Sequence, residues 1–253
     1  MIMIKKAIIL AAGMGTRLKP MTLSTHKCLT AICNKTILVN ALECLESIDV
    51  KEVIIVVGYL ADKIVNEIGE NYNNITIKYI RNERYFNTNT SYSLKLGIDN
   101  VKDYDRLYIL EGDVFFEKSL IKRIDNQRRE EATLVEEYMP YLDGTFVELD
   151  KDGFVIRWTH KNMREEGYKI EDKFKTINIH RFSERFVKEI LKIENNNICN
   201  NTNGMAPFEN VMDIIVKRNR HVIYGVKSQG DKWCEIDDMD DLKRAEKMFG
   251  ELK

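Results

Sequence analysis

The sequence that decides the fold is AIILAAGMGTR, residues 7–17. Its first four residues are all apolar, which is the pattern of a strand buried on both faces of a parallel sheet. The loop that follows contains Gly13 and Gly15, and a glycine lets backbone N–H groups approach an anion because it has no Cβ. Residues 7–17 therefore predict a phosphate-binding loop at the carboxyl end of a buried strand.

Two common phosphate-binding motifs do not fit this loop. The dinucleotide fingerprint G-x-G-x-x-G requires a third glycine where Leu18 stands. The P-loop pattern G-x-x-x-x-G-K-[ST] does not occur in the chain. A dinucleotide-binding domain is therefore disfavoured, and a P-loop ATPase is excluded.

Beyond the loop and as far as residue 110, apolar patterns typical of strands alternate with patterns typical of helices. Strands are predicted at residues 53–57, 75–80 and 107–110, and helices at residues 37–48, 61–68 and 91–98. Strands that alternate with helices form parallel β-α-β units. The first half of the chain therefore predicts a three-layer α/β/α sandwich with a mainly parallel, Rossmann-like central sheet.

The second half of the chain is less regular. Strands are predicted at 132–138, 145–149, 155–158, 175–182, 221–226 and 233–236, helices at 183–193, 208–216 and 240–249, and a loop at the Asn-rich residues 195–203. The pair Asp152-Gly153 is typical of a hairpin turn, so this half is expected to add a small β-rich insertion. Because no internal repeat or linker is found, residues 1–253 are expected to form one α/β domain.

Charge and cysteine content narrow the class of protein. With 39 basic and 40 acidic side chains the net charge is −1, so nucleic acid is not expected as a partner. The 5 cysteines include no C-x-x-C pair and are typical of reduced thiols in a cytoplasmic protein. The N-terminal apolar run is too short for a signal peptide, and no other window reaches transmembrane length. We therefore expect a cytoplasmic protein without a membrane partner.

Residues 10–22 read LAAGMGTRLKPMT, and Lys27 follows. This string resembles the signature of the sugar-nucleotidyltransferase superfamily, in which the glycine loop holds the triphosphate. The resemblance implies catalytic roles for the cations Arg17 and Lys27. One position departs from the family pattern, since His26 stands where members usually carry proline before the lysine. The loop residues implied to contact the nucleotide are Leu10, Ala11, Ala12, Gly13, Met14, Gly15 and Thr16.

Residues 58–59, 89–94 and 235–237 resemble the cytidylyltransferase branch of this superfamily. Members of that branch activate phosphocholine, 2-aminoethylphosphonate and related head groups, which implies CTP as the nucleotide. An Asn side chain can offer both a donor and an acceptor to the edge of a pyrimidine. The alternative for Asn89 is a helix cap. The further nucleotide-binding residues implied by the resemblance are Gly58, Asn89, Ser93 and Gly112.

Carboxylates at two strand ends indicate a magnesium site. Asp113 follows the strand at 107–110, where open α/β sheets bind ligands. Glu235 and Asp237 lie two residues apart and so point the same way from a strand. Mg²⁺ takes one or two carboxylates together with substrate phosphates. Asp113 and Asp237 match the metal-binding aspartates of the superfamily, which implies Mg²⁺ as the cofactor and Glu235 as a supporting ligand. Helix capping is the alternative for the aspartates.

The acceptor is expected to bind mainly in residues 131–253, and the nucleotide mainly in residues 1–130. The resemblance implies that Lys175 acts in catalysis by facing the phosphoryl or phosphonyl group of the acceptor. A primary ammonium needs hydrogen-bonding oxygens, whereas a quaternary choline favours aromatic faces. The candidates for this end of the acceptor are Trp158, Glu209 and Trp233.

Together these patterns predict a cytidylyltransferase that transfers CMP from CTP to 2-aminoethylphosphonate and releases pyrophosphate. Phosphocholine is the second candidate acceptor. Two different functions also stay open: a transferase that acts on a sugar 1-phosphate with UTP or dTTP, and a nucleotide-sensing subunit without catalytic activity. A homodimer and a fusion to other phosphonate-pathway enzymes are further expectations from the resemblance.

Overall fold

A ten-stranded sheet forms the centre of the fold in the computed structural model, which describes residues 3–250. The strands are β1 Lys5–Ala11, β2 Ala31–Ile32, β3 Lys35–Thr36, β4 Glu52–Val57, β5 Asn71–Tyr72, β6 Ile75–Arg81, β7 Arg106–Glu111, β8 Val114–Phe116, β9 Ala132–Glu137, β10 Phe146–Leu149, β11 Val155–Thr159, β12 Phe174–Ser183, β13 Tyr224–Lys227 and β14 Trp233–Glu235. The helices are α1 Ile37–Glu46, α2 Ala61–Ile68, α3 Thr90–Asn100, α4 Lys118–Asp125, α5 Glu184–Phe186, α6 Lys192–Thr202, α7 Phe208–Arg218 and α8 Met239–Gly250.

The first half of the chain builds the parallel part of the sheet. Strand β1 lies between β7 and β4, and β4 lies beside β6, with all four strands parallel. Strand β12 then runs antiparallel to β7, β9 and β10, so the second half extends and branches the sheet from one long strand. The predicted fold class, a mainly parallel Rossmann-like sheet between helices, is confirmed.

Both faces of the sheet are covered, which explains why its central strands are continuously apolar. Ile9 and Ile55 belong to one core cluster, on the side of α1, α2 and α4. Their chain neighbours Ile8 and Ile54 belong to a second cluster, with α3 and α7. Because successive side chains of a strand point to opposite faces, a strand buried on both faces needs an apolar residue at every position.

One predicted segment is wrong. The Asn-rich residues 195–203 were expected to form a loop, but α6 continues through Thr202 and ends at Asn203, which has a left-handed φ of 52°. The side chain of Asn195 is buried and donates to the carbonyl of Ser91 in α3 at 3.0 Å. Packing against α3 therefore outweighs the modest helix propensity of asparagine.

The carboxyl ends of β1, β4 and β7 meet at one edge of the sheet. The loops there pack closely, since a Cβ on Gly58 would lie 2.8 Å from the carbonyl oxygen of Ala12. A Cβ on Gly112 would lie 2.9 Å from the carbonyl oxygen of Leu10. These two glycines allow the loops after β4 and β7 to lie directly against the end of β1.

A small third core fixes the C-terminal segment beside the same edge. Strand β14 pairs with β8, and α8 packs against β14. The buried side chains of Leu18, Ile37, Ile236 and Leu242 meet in this cluster. Residues 235–237 are thereby held next to the glycine loop, although they are more than 200 residues away along the chain.

Within residues 3–250, none of the helices combines the length and the apolar character that a membrane span needs.

A buried cation secures the end of α4. Arg181 on β12 has no exposed surface, and its guanidinium donates only to backbone carbonyls. Burial lowers the pKa of Arg181, and the partial negative charge at the end of a helix favours a cation there. The carbonyls that accept from it belong to Ile124, Asp125, Gln127, Arg129 and Glu130.

We expect Arg181→Met to lower the free energy of unfolding by about 3 kcal/mol, because several carbonyls around the end of α4 would lose a buried donor at once. Urea unfolding followed by circular dichroism measures this change. Arg185→Met is the matched control, since Arg185 is exposed and pairs with Glu189 one turn away. An unchanged urea midpoint for Arg181→Met would show that the carbonyls find other partners.

Candidate active site

A cleft of about 530 Å³ opens at the carboxyl ends of β1 and β7. The loop side of the cleft is formed by Leu10, Ala11, Ala12, Gly13, Gly15, Thr16, Arg17, His26 and Lys27. A second wall is formed by Asn82, Tyr85, Thr88, Asn89, Thr90, Ser93, Met205 and Pro207. The remaining wall contains Glu111, Gly112, Asp113, Gly144, Thr145, His160, Lys161, Asn162, Lys175, Asn178, Glu209, Glu235 and Asp237.

The glycine loop offers unpaired backbone donors to this cleft. In the part of the chain that the structure describes, no N–H group from Gly13 to Arg17 donates a hydrogen bond. Gly15 has a φ of 56°, and its carbonyl accepts from Leu18 and from the hydroxyl of Thr22. A glycine adopts this left-handed conformation without steric cost. A run of free N–H groups at such a turn is a site for an anion.

Lys27 joins three parts of the chain at the loop. Its ammonium donates to Asp113 at 2.7 Å and to Asp237 at 2.8 Å. Arg17 contacts the same oxygen of Asp237 at 2.8 Å. Burial lowers the pKa of Lys27, but the two carboxylates outweigh burial and raise it above its usual range. Lys27 is therefore a permanent cation, and the predicted residues Arg17, Lys27, Asp113 and Asp237 lie together.

Three carboxylates next to Lys27 form a cluster that can hold a cation. One oxygen each from Glu111, Asp113 and Glu235 lie within 4.8 Å of one another. The Oδ1 atom of Asp113 is buried and has no hydrogen-bond partner among residues 3–250, which is costly for a carboxylate unless a cation occupies the space. The donor set consists of oxygens, which suits a hard divalent ion.

Glu111 is a member of this cluster that the sequence analysis missed. Burial is the main cause that raises its pKa well above the usual range, and Glu209, Asp113 and Glu235 add to it. The side chain of Asn178 donates to Glu111 at 3.2 Å from a bulge in β12, where Asn178 has a φ of 59°. The position of Glu111 directly before Gly112-Asp113 was the signal that could have identified it.

Lys175 lies at the other end of the cleft. It is 1% exposed, and its ammonium contacts Glu235 at 2.8 Å and the carbonyl of Thr176 at 2.8 Å. Burial lowers the pKa of Lys175, but Glu235 and then Glu111 raise it above its usual range. Glu209 lines the same wall and accepts from the hydroxyl of Thr145 at 3.2 Å. The structure therefore brings the predicted residues Lys175, Glu209 and Glu235 together.

The wall after β6 carries neutral polar groups. The amide of Asn82 donates to Thr88 and to Ser93, both at 3.1 Å, and its carbonyl accepts from the N–H of Arg84. Asn89 lines the cleft and also caps α3, since its side chain accepts from Thr90 at 2.8 Å. Asn89 therefore caps the helix, as the alternative interpretation held, and it also lies on the wall of the cleft.

Two residues that were predicted to contact a ligand lie away from the main cleft, and a third points its side chain away from it. Trp158 is 1% exposed and packs 5.7 Å from the His180 ring in the core beneath α7, so its predicted contact with the acceptor is wrong. Gly58 packs behind the loop against Ala12 and does not line the cleft. The side chain of Met14 is 39% exposed and lies outside the cleft, but its backbone N–H is one of the free donors of the glycine loop. In each case the pattern identified the segment, but packing decided which residue faces the ligand side.

Trp233 lies in an adjoining cleft of about 320 Å³, which shares Lys175 and Glu235 with the main one. The indole of Trp233 donates to Glu136 at 3.1 Å, and the Lys175 ammonium lies 5.8 Å from its ring centre. Tyr141 lines the same adjoining cleft. An aromatic surface is therefore available next to the lysine, but outside the main cleft.

Several known proteins are similar to this chain in sequence and in fold. Residues 6–247 match the family model described as nucleotidyl transferase. The CMP-5'-(3-aminopropyl)phosphonate synthase of Streptomyces rubellomurinus is 26% identical over 96% of this chain and 38% of its own length. The chain therefore spans less than half of that relative. The CTP:phosphoglutamine cytidylyltransferase of Campylobacter jejuni is 27% identical over 94% of this chain and 97% of its own length.

Among solved structures, the CTP:phosphocholine cytidylyltransferase from Streptococcus pneumoniae has the same fold. It aligns with a TM-score of 0.79 at 21% identity, covering 98% of this chain and 99% of that one. The resemblance to the cytidylyltransferase branch is confirmed by these relatives. Enzymes of this family generally use divalent metals, which agrees with the carboxylate cluster. The chain belongs to the nucleotidyl transferase family.

Proposed function

We propose that the protein transfers CMP from CTP to a small acceptor that carries a phosphonate or phosphate and a primary ammonium, and that it releases pyrophosphate. The acceptor that fits this description most simply is 2-aminoethylphosphonate, and the metal is Mg²⁺. The observation that carries the proposal is a single cleft with Lys27 between Asp113 and Asp237 at one end and Lys175 beside Glu235 at the other.

The chemistry requires positioning more than proton transfer. The acceptor oxygen is already an anion, so it attacks the α-phosphorus while the bond to the bridging oxygen of the β-phosphate breaks and pyrophosphate leaves with the electron pair. The main barrier is the repulsion between two anions, which fixed cations reduce. Arg17 and Lys27 are assigned to the triphosphate, and Lys175 to the phosphonate of the acceptor.

The carboxylates are assigned a different role from these cations, which is to bind the metal ion. A Mg²⁺ ion held by Asp113 and Asp237 would supply positive charge to the triphosphate in the transition state. The buried and unpaired Oδ1 of Asp113 supports this assignment. Glu235 is paired with Lys175, so it links the metal-binding end of the cleft with the acceptor end. Glu111 belongs to the same carboxylate cluster as Asp113 and Glu235.

The names of the relatives support a cytidine nucleotide. The Streptomyces relative is a CMP-aminopropylphosphonate synthase and the Campylobacter relative is a CTP:phosphoglutamine cytidylyltransferase. We assign the base to the wall that contains Asn82, Asn89 and Ser93, because amide and hydroxyl groups there can pair with the edge of a pyrimidine.

The charge of the acceptor end supports an ammonium group. Glu209 contributes negative charge there, and it raises the pKa of Glu111 and of Lys175. Within the described residues, Tyr85 is the one Phe, Tyr or Trp that lines the main cleft. A primary ammonium can donate to carboxylates, whereas a quaternary ammonium needs aromatic faces. We therefore assign the amine of the acceptor to Glu209.

We expect pyrophosphate release from CTP and 2-aminoethylphosphonate in the presence of Mg²⁺, and none after chelation with EDTA. A coupled pyrophosphate assay measures the rate with CTP, UTP, dTTP and GTP, each with 2-aminoethylphosphonate, phosphocholine or glucose 1-phosphate. A higher kcat/KM for phosphocholine would contradict the assignment of the amine and point to the aromatic surface at Trp233. Turnover with UTP and not with CTP would contradict the assignment of the base.

We expect Lys27→Met to reduce kcat by about 100-fold to 1,000-fold, by analogy with the loss of one preorganised charge-stabilising donor. Met keeps most of the aliphatic stem, and circular dichroism verifies the fold. Lys51→Met is the matched control, because Lys51 is exposed and pairs with Asp49 at the surface. A turnover of Lys27→Met close to that of the wild type would remove this lysine from the catalytic site.

We expect Glu209→Gln to raise the KM for 2-aminoethylphosphonate about tenfold and to leave the KM for CTP unchanged. Gln can still accept the hydrogen bond from Thr145, so only the charge opposite the ammonium is lost. Ethylphosphonate, which has no amine, is the control acceptor and should respond equally in both enzymes. Equal losses with both acceptors would mean that Glu209 does not contact the amine.

A further inference from the structure

We propose that Asn178 is a positioning residue for Lys175, the cation assigned to the phosphonate or phosphate group of the acceptor. The side chain of Asn178 fixes a bulge of β12 against the end of β7, and the same bulge begins at the residue whose carbonyl holds the Lys175 ammonium. The inference rests on the proposed function for the role of Lys175. It does not depend on which base the nucleotide carries or on the amine of the acceptor.

The backbone at Asn178 departs from that of a regular strand. Strand β12 advances from Thr176 to His180 while its partner β9 advances only from Val135 to Thr133, which is a bulge in β12. Asn178 lies in this bulge with a φ of 59°, and it is the only non-glycine residue with a positive φ inside a strand among residues 3–250. It also lines the main cleft. Bulges and left-handed residues concentrate beside functional sites, where they re-aim a side chain.

The amide of Asn178 joins two strands at the point where the ladder between them ends. The last pair of the β12–β7 ladder is Ile179 with Leu110. One residue further, the N–H of the Asn178 amide donates to Glu111 at 3.2 Å, and its carbonyl accepts from the hydroxyl of Thr176 at 2.8 Å. Asn178 and Thr176 are both buried. Two side-chain hydrogen bonds therefore tie the bulge to β7 and hold its shape.

Thr176 connects this arrangement to the lysine. The carbonyl of Thr176 accepts from the Lys175 ammonium at 2.8 Å, and Glu235 is the second partner of the ammonium at 2.8 Å. A Cβ on Gly144 would lie 3.2 Å from the Cε atom of Lys175, so the neighbouring loop packs directly on the lysine. A carboxylate and a carbonyl thus fix the ammonium, and Asn178 holds the residue that supplies the carbonyl.

The amide is the part of Asn178 that the bulge alone does not explain. A glycine would adopt a φ of 59° without steric cost, whereas asparagine adopts it less readily. A bulge that only had to bend the strand would be satisfied by glycine. What asparagine adds is the pair of hydrogen bonds to Glu111 and Thr176, beside the cleft.

Three variants test this connection at different points. Asn178→Gly keeps the left-handed backbone and removes both hydrogen bonds. Thr176→Val keeps the branched shape of the side chain and removes the hydroxyl, whereas Thr176→Ser keeps the hydroxyl. We expect Asn178→Gly and Thr176→Val each to raise the KM for 2-aminoethylphosphonate about fivefold to tenfold, because Lys175 loses its fixed position. Thr176→Ser should stay within about twofold of the wild type, as should the KM for CTP in every variant.

Asn73→Gly is the matched control. Asn73 also has a positive φ, of 48°, and its amide donates to the carboxylate of Glu46 at 3.0 Å. It is exposed and lines neither the main nor the adjoining cleft. The same substitution at the same kind of backbone should therefore leave the kinetic constants of the wild type unchanged.

Steady-state pyrophosphate release with 2-aminoethylphosphonate and with ethylphosphonate provides the decisive comparison. The KM should rise equally for both acceptors, because they share the phosphonate to which Lys175 is assigned. An unchanged acceptor KM in both Asn178→Gly and Thr176→Val would overturn the proposal. An equal rise in the KM for CTP, or a rise confined to 2-aminoethylphosphonate, would overturn it as well.

A double variant tests whether the two residues act in series. Asn178→Gly combined with Thr176→Val should lose no more than Asn178→Gly alone, and losses that multiply would contradict the connection through Thr176. If Asn178→Gly lowers the thermal midpoint more than Asn73→Gly does, Thr176→Val against Thr176→Ser still decides. If the wild type prefers phosphocholine, the acceptor assignment fails. Phosphocholine then tests Asn178 in the same way, because it also carries a phosphate.

Discussion

The ammonium of Lys27 between Asp113 and Asp237 is the interaction on which the site depends. It joins the turn after the glycine loop, the end of β7 and the segment after β14, which lie 86 and 210 residues from Lys27. Two carboxylates this close repel each other unless a cation lies between them. The lysine therefore keeps the site assembled, and the same charge is available to a triphosphate that enters the loop.

The opposite end of the cleft also combines a buried cation with carboxylates. Lys175 is buried and pairs with Glu235, while Glu209 adds negative charge and has no ion-pair partner among the described residues. Such a wall attracts positive groups, so the proposed acceptor, which has an anionic and a cationic end, would meet a complementary partner for each. The choice between acceptors then depends on which cationic group the carboxylates can bind. The buried surface area alone does not distinguish between small ligands of similar size.

Much of the fold could be predicted from apolar periodicity. The parallel strands β1, β4 and β7 were predicted because strands buried on both faces are apolar at every position. The loop at Gly13–Arg17 and the carboxylate Asp113 were predicted because parallel strands bring their carboxyl ends to one edge. Segments whose structure depends on distant packing were less predictable. Helix α6 is stabilised by contacts with α3 that its Asn-rich composition does not indicate.

By itself, the sequence determined the sheet, the glycine loop and the types of charged group at the strand ends, because these follow from local periodicity and from the missing Cβ of glycine. Only the tertiary structure decided which side chains face the ligand. It buried Trp158, placed Gly58 behind the loop, and added Glu111 to the carboxylate cluster. The physical reason is that burial and charge pairing are set by groups distant along the chain, and no short pattern contains their positions.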